Sequence, residues 1–147
     1  MLKTMRHLIP PTPEVWQLQR PIAVQGYDID FAGVVSNIVY VRWLEDLRVA
    51  LLEDVWPLRS QLQSGKLPVV VHNDISYQRS VRLQDSLQGH IWLSALGESK
   101  LVFQAMFCVG EACAVSAQQT CVCVDIAKQT SIPVPDVLRQ QRPAERS

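Results

Sequence analysis

The chain has 147 residues, 48% of them apolar and 19% charged, the balance of one domain with a sizeable core. Fourteen Lys and Arg side chains cancel fourteen Asp and Glu, which excludes a global field drawing nucleic acid or an anionic membrane surface. No apolar run reaches the ~18 residues of a membrane span, and the N-terminus lacks the apolar core of a signal peptide. A cytoplasmic protein is the expectation.

Taken in chain order, residues 1–19 carry Pro10, Pro11 and Pro13 and no clear period, and read as an extended surface arm. A first strand is expected over residues 22–27, weakened at Gly26. The chain then breaks at Asp30-Phe31-Ala32-Gly33, and a helix follows with Ser36 or Asn37 as its cap. Tyr40, Leu44, Leu47 and Leu51 keep i, i+4, i+7, i+11 spacing, with Val41 and Trp43 widening the apolar stripe. Glu45 and Arg48 stand at i, i+3, where an ion pair forms easily. Pro57 stops the helix or starts a short turn, and residues 61–65 read as a connector ending on a turn glycine.

Beyond Lys66 the pattern changes to period two and β-branched composition. Strands are expected over residues 67–77, Leu87–Leu96, Lys100–Val109 and residues 112–124, with tight turns at 97–99 and at Gly110-Glu111. One helix followed by a meander of long antiparallel strands is an α+β plan with the helix laid on the sheet. Residues 20–135 form the single domain, and residues 136–147 read as a flexible tail.

The four cysteines, Cys108, Cys113, Cys121 and Cys123, show no C-x-x-C pair and no Cys/His ligand spacing, so no metal site is expected. A disulfide between Cys108 and Cys113 across a hairpin is conceivable, with free thiols the plainer expectation. His72 and His90, in the sheet, read as ordinary polar strand residues.

Asp30 is the candidate for chemistry. It sits in a turn just before a helix start, where unpaired backbone N–H groups and a partial positive charge can meet an oxyanion. A nucleophile or base beside such a site is what acyl transfer needs. On composition alone, an aspartate before a helix merely caps a turn. Gly33 allows a positive φ or a close approach of backbone to substrate.

The stretch Asp28-Ile-Asp30, Ala32-Gly33-Val34-Val35, Asn37, Tyr40, Trp43-Leu44-Glu45 and Arg48 fits D-x-D-x-x-G-V-V-x-(H/Y/N)-x-x-Y-x-x-(W/F)-x-E-x-x-R without gaps. It resembles the hotdog-fold thioesterases of the 4-hydroxybenzoyl-CoA thioesterase and YbgC-like acyl-CoA thioesterase family, and the order of elements agrees over roughly residues 20–135. The resemblance implies a hotdog fold, an antiparallel sheet wrapped around one long central helix. It implies hydrolysis of acyl- or aroyl-thioesters of coenzyme A, or of acyl carrier protein, with no cofactor. Asp30 falls on the catalytic carboxylate position, as nucleophile or general base. Asn37 stands where some branches carry histidine and others tyrosine, and could orient water or the carbonyl. Gly33, Val34, Val35, Ser36 and Tyr40 would line the substrate, and Arg79 and Arg82 would suit coenzyme A phosphates. Asp28 is assigned a structural role, and a related branch places its catalytic glutamate on the helix, near Glu45. A homodimer joined edge to edge, or a homotetramer, is implied, with sites at the dimer interface. Two rival readings are a binding protein that kept the fold without turnover, and a hotdog hydratase or dehydratase. The latter needs a histidine near the helix start, and none lies between His7 and His72.

Overall fold

The computed structural model describes residues 8–144; the start of the expected arm and the end of the expected tail lie outside the described residues. The elements are β1 (Gln17–Ile22), a 3-10 turn (Gly26–Asp28), α1 (Val39–Leu52), α2 (Leu58–Ser64), β2 (Lys66–Tyr77), β3 (Leu87–Leu96), β4 (Lys100–Val109), β5 (Ala112–Asp125), β6 (Thr130–Ser131) and α3 (Asp136–Arg139). The strands run in the order β1-β3-β4-β5-β2, with β6 beside β5, and every pairing is antiparallel.

Period two puts Leu87, Gly89, Ile91 and Leu93 of β3 on one buried face, beside Leu101, Phe103, Ala105 and Phe107 of β4. The α1 stripe Tyr40, Leu44, Leu47 and Leu51 is buried in the same core. Register shifts at Val70/His72, Leu93/Ala95 and Phe107/Cys108 interrupt the ladder. An extra residue on one strand bends it and increases its twist, so the sheet curls around α1. This curled antiparallel sheet with few helices is consistent with the hotdog plan.

The helix itself needs correcting. Far from a long central rod, α1 has 14 residues, about 21 Å of helix. It starts at Val39, its N-cap is Ile38, and neither Ser36 nor Asn37 caps it. The reason is competition from strand-like pairing. Ile29 and Val35 form a bridge, Val35 N–H donates to Val81 C=O at 2.8 Å, and Ser36 N–H donates to Asp28 C=O at 2.9 Å. Helical pairing can begin only beyond them. Val41 is turned to solvent and does not widen the stripe. After Pro57 the expected connector is a true helix, α2, stopped by Gly65 at φ +70°.

The first strand also lies earlier than expected, beginning inside the stretch read as an arm, and residues 23–27 are outside it. As the outer strand of the sheet, β1 can carry Pro21, which has no ladder N–H to offer. The segment before it covers the outer face, where Val15 packs with Trp92 and Met106, and Leu8, Cys108 and Cys113 adjoin them. The stretch read as a tail is likewise fastened over residues 136–144, just beyond the domain's last residues. Val134 and Leu138 are buried, Arg139 Nη2 donates to Glu98 C=O at 2.8 Å, and Ala144 N–H donates to Leu93 C=O at 2.9 Å.

Gly89 marks a close approach of sheet and helix: a Cβ there would meet Ile22 Cδ1 at 2.6 Å and the Leu47 methyls at 3.1 Å. Gly89→Ala is expected to cost about 1 kcal/mol, the low end for overpacking because the obstructing atoms are side-chain tips. A fall in the urea midpoint at constant m-value would report it.

Candidate active site

Five residues make the turn that carries Asp30. Asp30 N–H donates to Val34 C=O at 2.9 Å and Gly33 N–H to Asp30 C=O at 3.0 Å, while the Ile29–Val35 bridge closes the base. Gly33 takes φ +81°, a left-handed conformation that side-chain-bearing residues resist. Asp30 Oδ1 accepts from Ala32 N–H at 2.9 Å and Val34 N–H at 3.5 Å. These bonds orient the carboxylate, and among the described residues none engages Oδ2. A short acceptor chain holding its own turn is the ordinary Asx device; the uncommitted oxygen beside it is what a reaction requires.

Asp28 is occupied otherwise. It is 3% exposed, its Oδ2 accepts from Gln25 N–H at 2.9 Å, and its carbonyl holds Ser36. It braces the turn. Beyond the turn, the N-terminus of α1 receives no side-chain cap, and a helix start leaves its leading N–H groups without intrahelical partners.

A small cavity of about 150 Å³ opens beside this helix start, lined by Val34, Val35, Asn37, Tyr40, Tyr77, Gln78, Arg79 and Ser80. It gathers five of the residues expected from sequence: Val34, Val35, Asn37, Tyr40 and Arg79. Asp30, Gly33, Ser36 and Arg82 are not in its wall. Asp30 reaches it only through Val34, and Arg82 is exposed, its N–H donating to Asp85 Oδ2 at 2.8 Å. Asn37 is exposed, and its backbone carbonyl accepts from the Tyr77 hydroxyl at 3.0 Å.

Tyr77, at the end of β2, is the residue the sequence reading missed; its ring stands 5.7 Å from that of Tyr40. No motif marks it, because the contact spans forty residues. Tyr40 also packs edge-on against Trp43 and Phe107. Burial, then the neighbouring Tyr77 and Asp85, push its pKa up to about 12. The phenol therefore stays protonated at working pH, so it can donate, accept or pack but carries no charge.

A larger concavity, about 880 Å³, lies on the other flank of α1, between that helix and β1. It contains none of the residues expected to act, apart from Glu45. Glu45, Asp46, Glu53 and Asp54 line it against a single Arg20, the wrong sign for a phosphate-bearing substrate. The smaller cavity is thus the better site. Glu45 is tied to Arg48, whose Nη1 donates to Glu45 Oε1 at 3.0 Å. His90 is also taken, its Nε2 2.8 Å from Gln17 Oε1, and burial lowers its pKa. His72 is exposed on β2. Among the described residues no group of three or more His, Cys, Asp or Glu could hold a metal ion.

The model of the thioesterase-like superfamily matches residues 24–141, from before the Asp30 turn to the C-terminal helix. The chain belongs to that superfamily. It is 30% identical over 126 residues to the long-chain acyl-CoA thioesterase FadM of Escherichia coli (strain K12), covering 84% of this chain and 96% of that one. It resembles the solved structure of a putative thioesterase from Pseudomonas aeruginosa at 27% identity and TM-score 0.73, covering 85% of this chain and 95% of the other. A thioesterase-superfamily structure from Jannaschia sp. CCS1 aligns at TM-score 0.82 and 18% identity over 94% of this chain and all of its own, a likeness of fold. No helix among the described residues is long and apolar enough to cross a membrane.

Proposed function

We propose that the chain is an acyl-CoA thioesterase, with Asp30 as nucleophile or general base and the start of α1 polarising the thioester carbonyl. The net reaction adds water across the C–S bond and releases a carboxylate and a free thiol. As general base, Asp30 takes a proton from the attacking water; as nucleophile, its carboxylate forms a mixed anhydride that water then opens. The observation that carries the reading is the Asp30 turn, where one carboxylate oxygen is spent on orientation and the other stands free, before an uncapped helix start. Backbone donors aimed at a developing oxyanion contribute about 2.7–4 kcal/mol each.

Gly33, Val34, Val35, Ser36, Asn37 and Tyr40 shape the reacting end in this proposal. Arg79, in the cavity wall, and Arg82 meet the phosphates of coenzyme A; acyl carrier protein is the alternative carrier. The protein works in the cytoplasm as a homodimer or homotetramer, its protomers joined edge to edge. Two features support that assembly. β2, twelve residues long, is an open edge of the sheet, and an open edge invites pairing. Around the turn, Tyr27, Phe31 and Ile38 are 80%, 105% and 76% exposed, an apolar surface that a second copy would cover.

Thiol release from a panel of acyl-, aroyl- and 1,4-dihydroxy-2-naphthoyl-CoA substrates tests the reading. Turnover of any member supports it. Tight binding of acyl-CoA with no thiol released from the whole panel would make the protein a binder and overturn it.

A further inference from the structure

Cys108 and Cys113 take no part in the site chemistry, and their placement is unlike that of the other two cysteines. Gly110-Glu111 is a two-residue turn, with Gly110 at φ +60°, joining Val109 of β4 to Ala112 of β5. The next pair out from that turn is Cys108 opposite Cys113. Antiparallel pairs alternate between hydrogen-bonded and non-hydrogen-bonded types, and the pair flanking a two-residue turn is the hydrogen-bonded one. The cysteines therefore hold the non-hydrogen-bonded place, where Cα atoms stand about 4.5 Å apart and side chains approach closest. That lies within the ~4.4–6.8 Å span of a disulfide. Cys121 and Cys123, by contrast, follow one another along a single strand and are fully buried.

We infer that Cys108 and Cys113 form an oxidisable dithiol, a modification site that a peroxide converts to a disulfide across the β4–β5 hairpin. Two S–H bonds break, one S–S bond forms, and the two electrons and two protons cleave the peroxide O–O bond into two waters. Both thiols are free and half-buried in the structure, packed against the cluster of Val15, Trp92 and Met106. Burial, with the Cys113 thiol beside it, pushes the Cys108 pKa up to about 11, and burial raises that of Cys113 as well. Few thiolates exist at neutral pH, so oxidation is slow there and quickens as pH rises; a poor leaving thiol also makes the finished bond slow to reduce. The pair is built as a durable staple rather than a fast sensor.

The staple reaches the cavity. The register shift beside Cys108 leaves Ala114 out of the β4 ladder. The Ala114 carbonyl accepts from Gln78 N–H at 2.8 Å and Arg79 N–H at 3.0 Å, and both residues line the small cavity. Closing the disulfide fixes the frame from which that wall hangs.

Hydrogen peroxide applied to the folded full chain, followed by thiol counting and non-reducing peptide mapping, decides the matter independently of the hydrolase reading. The expected result is loss of two of the four thiols, a mass decrease of two hydrogens, and a linked peptide pair containing Cys108 and Cys113. Cys108→Ser and Cys113→Ser should each abolish the link, and Cys121→Ser should leave it. Amide exchange at Gln78 and Arg79 should slow in the oxidised protein. Four thiols persisting, over-oxidation to sulfinic acid without linkage, or links only between chains would overturn the inference. Unchanged exchange in a linked protein would overturn the tie to the cavity wall.

Discussion

Asp30→Asn is expected to slow thioester hydrolysis about 100-fold or more, the usual scale for losing a positioned acid–base group, with KM little changed. The substitution separates chemistry from scaffolding. Asparagine keeps an Oδ1 that can accept from Ala32 and Val34 N–H, so the turn that Asp30 holds at 2.9 Å and 3.5 Å survives. What disappears is the charge and the basicity of the second oxygen. Thiol release measured beside the thermal midpoint checks the result: a folded variant with an intact rate would remove Asp30 from the reaction and shift attention to Glu45. Asp30→Ala, which deletes the turn bonds too, should lose activity and stability together.

The second large effect concerns stability. Arg48 is 8% exposed and donates to Gln119 Oε1 at 2.6 Å and to both Glu45 oxygens. Gln119, fully buried on β5, donates in turn to Glu45 Oε1 at 3.2 Å and to Asn73 Oδ1 at 3.0 Å. One amide thereby ties α1 to β5 and to β2, with all its polar atoms engaged. Arg48→Met keeps the stem and removes the charge, leaving the Gln119 carbonyl oxygen in the interior with only the Cys121 thiol at 3.9 Å. The expected loss is about 1–3 kcal/mol, the cost of an orphaned buried acceptor, since the Glu45 carboxylate can turn to solvent. Denaturant unfolding reads it directly. The double variant Arg48→Met, Gln119→Leu should recover part of the loss, because apolar groups then replace both partners; a double variant that is fully additive would show that the pair is not coupled.

These two cases mark what a sequence can carry. Asp30, Gly33 and the apolar stripe of α1 were legible because each depends on neighbours within a few positions: an Asx turn, a positive φ, a repeat of 3.6. The strands at Leu87–Leu96 and Lys100–Val109 were legible through period two. Of the partners of Arg48 only Glu45 was. Glu45 lies within one turn of helix, but Gln119 is 71 residues away, and only the sheet's register brings it inward. The uncapped start of α1 escaped notice for a related reason: Ser36 looks like a cap until its N–H is seen to be held by Asp28. Tyr77 and the buried Val134 and Leu138 follow the same rule, since apolar side chains in a proline-bearing tail advertise no partner.

The two ends of the described chain meet over one residue. Leu93 N–H donates to Trp16 C=O at 3.2 Å, its carbonyl accepts from Ala144 at 2.9 Å, and Trp16 N–H donates to Arg142 C=O at 3.0 Å. During synthesis the ribosome releases Trp16 long before β3 exists to receive it, and Arg142 later still. The stretch that becomes β1 must therefore wait unpaired until β3 has been made, and contacts of such sequence separation form slowly. Until then its residues are open to proteases and chaperones, and the closing bonds at Leu93 and Trp16 wait for Ala144 and Arg142.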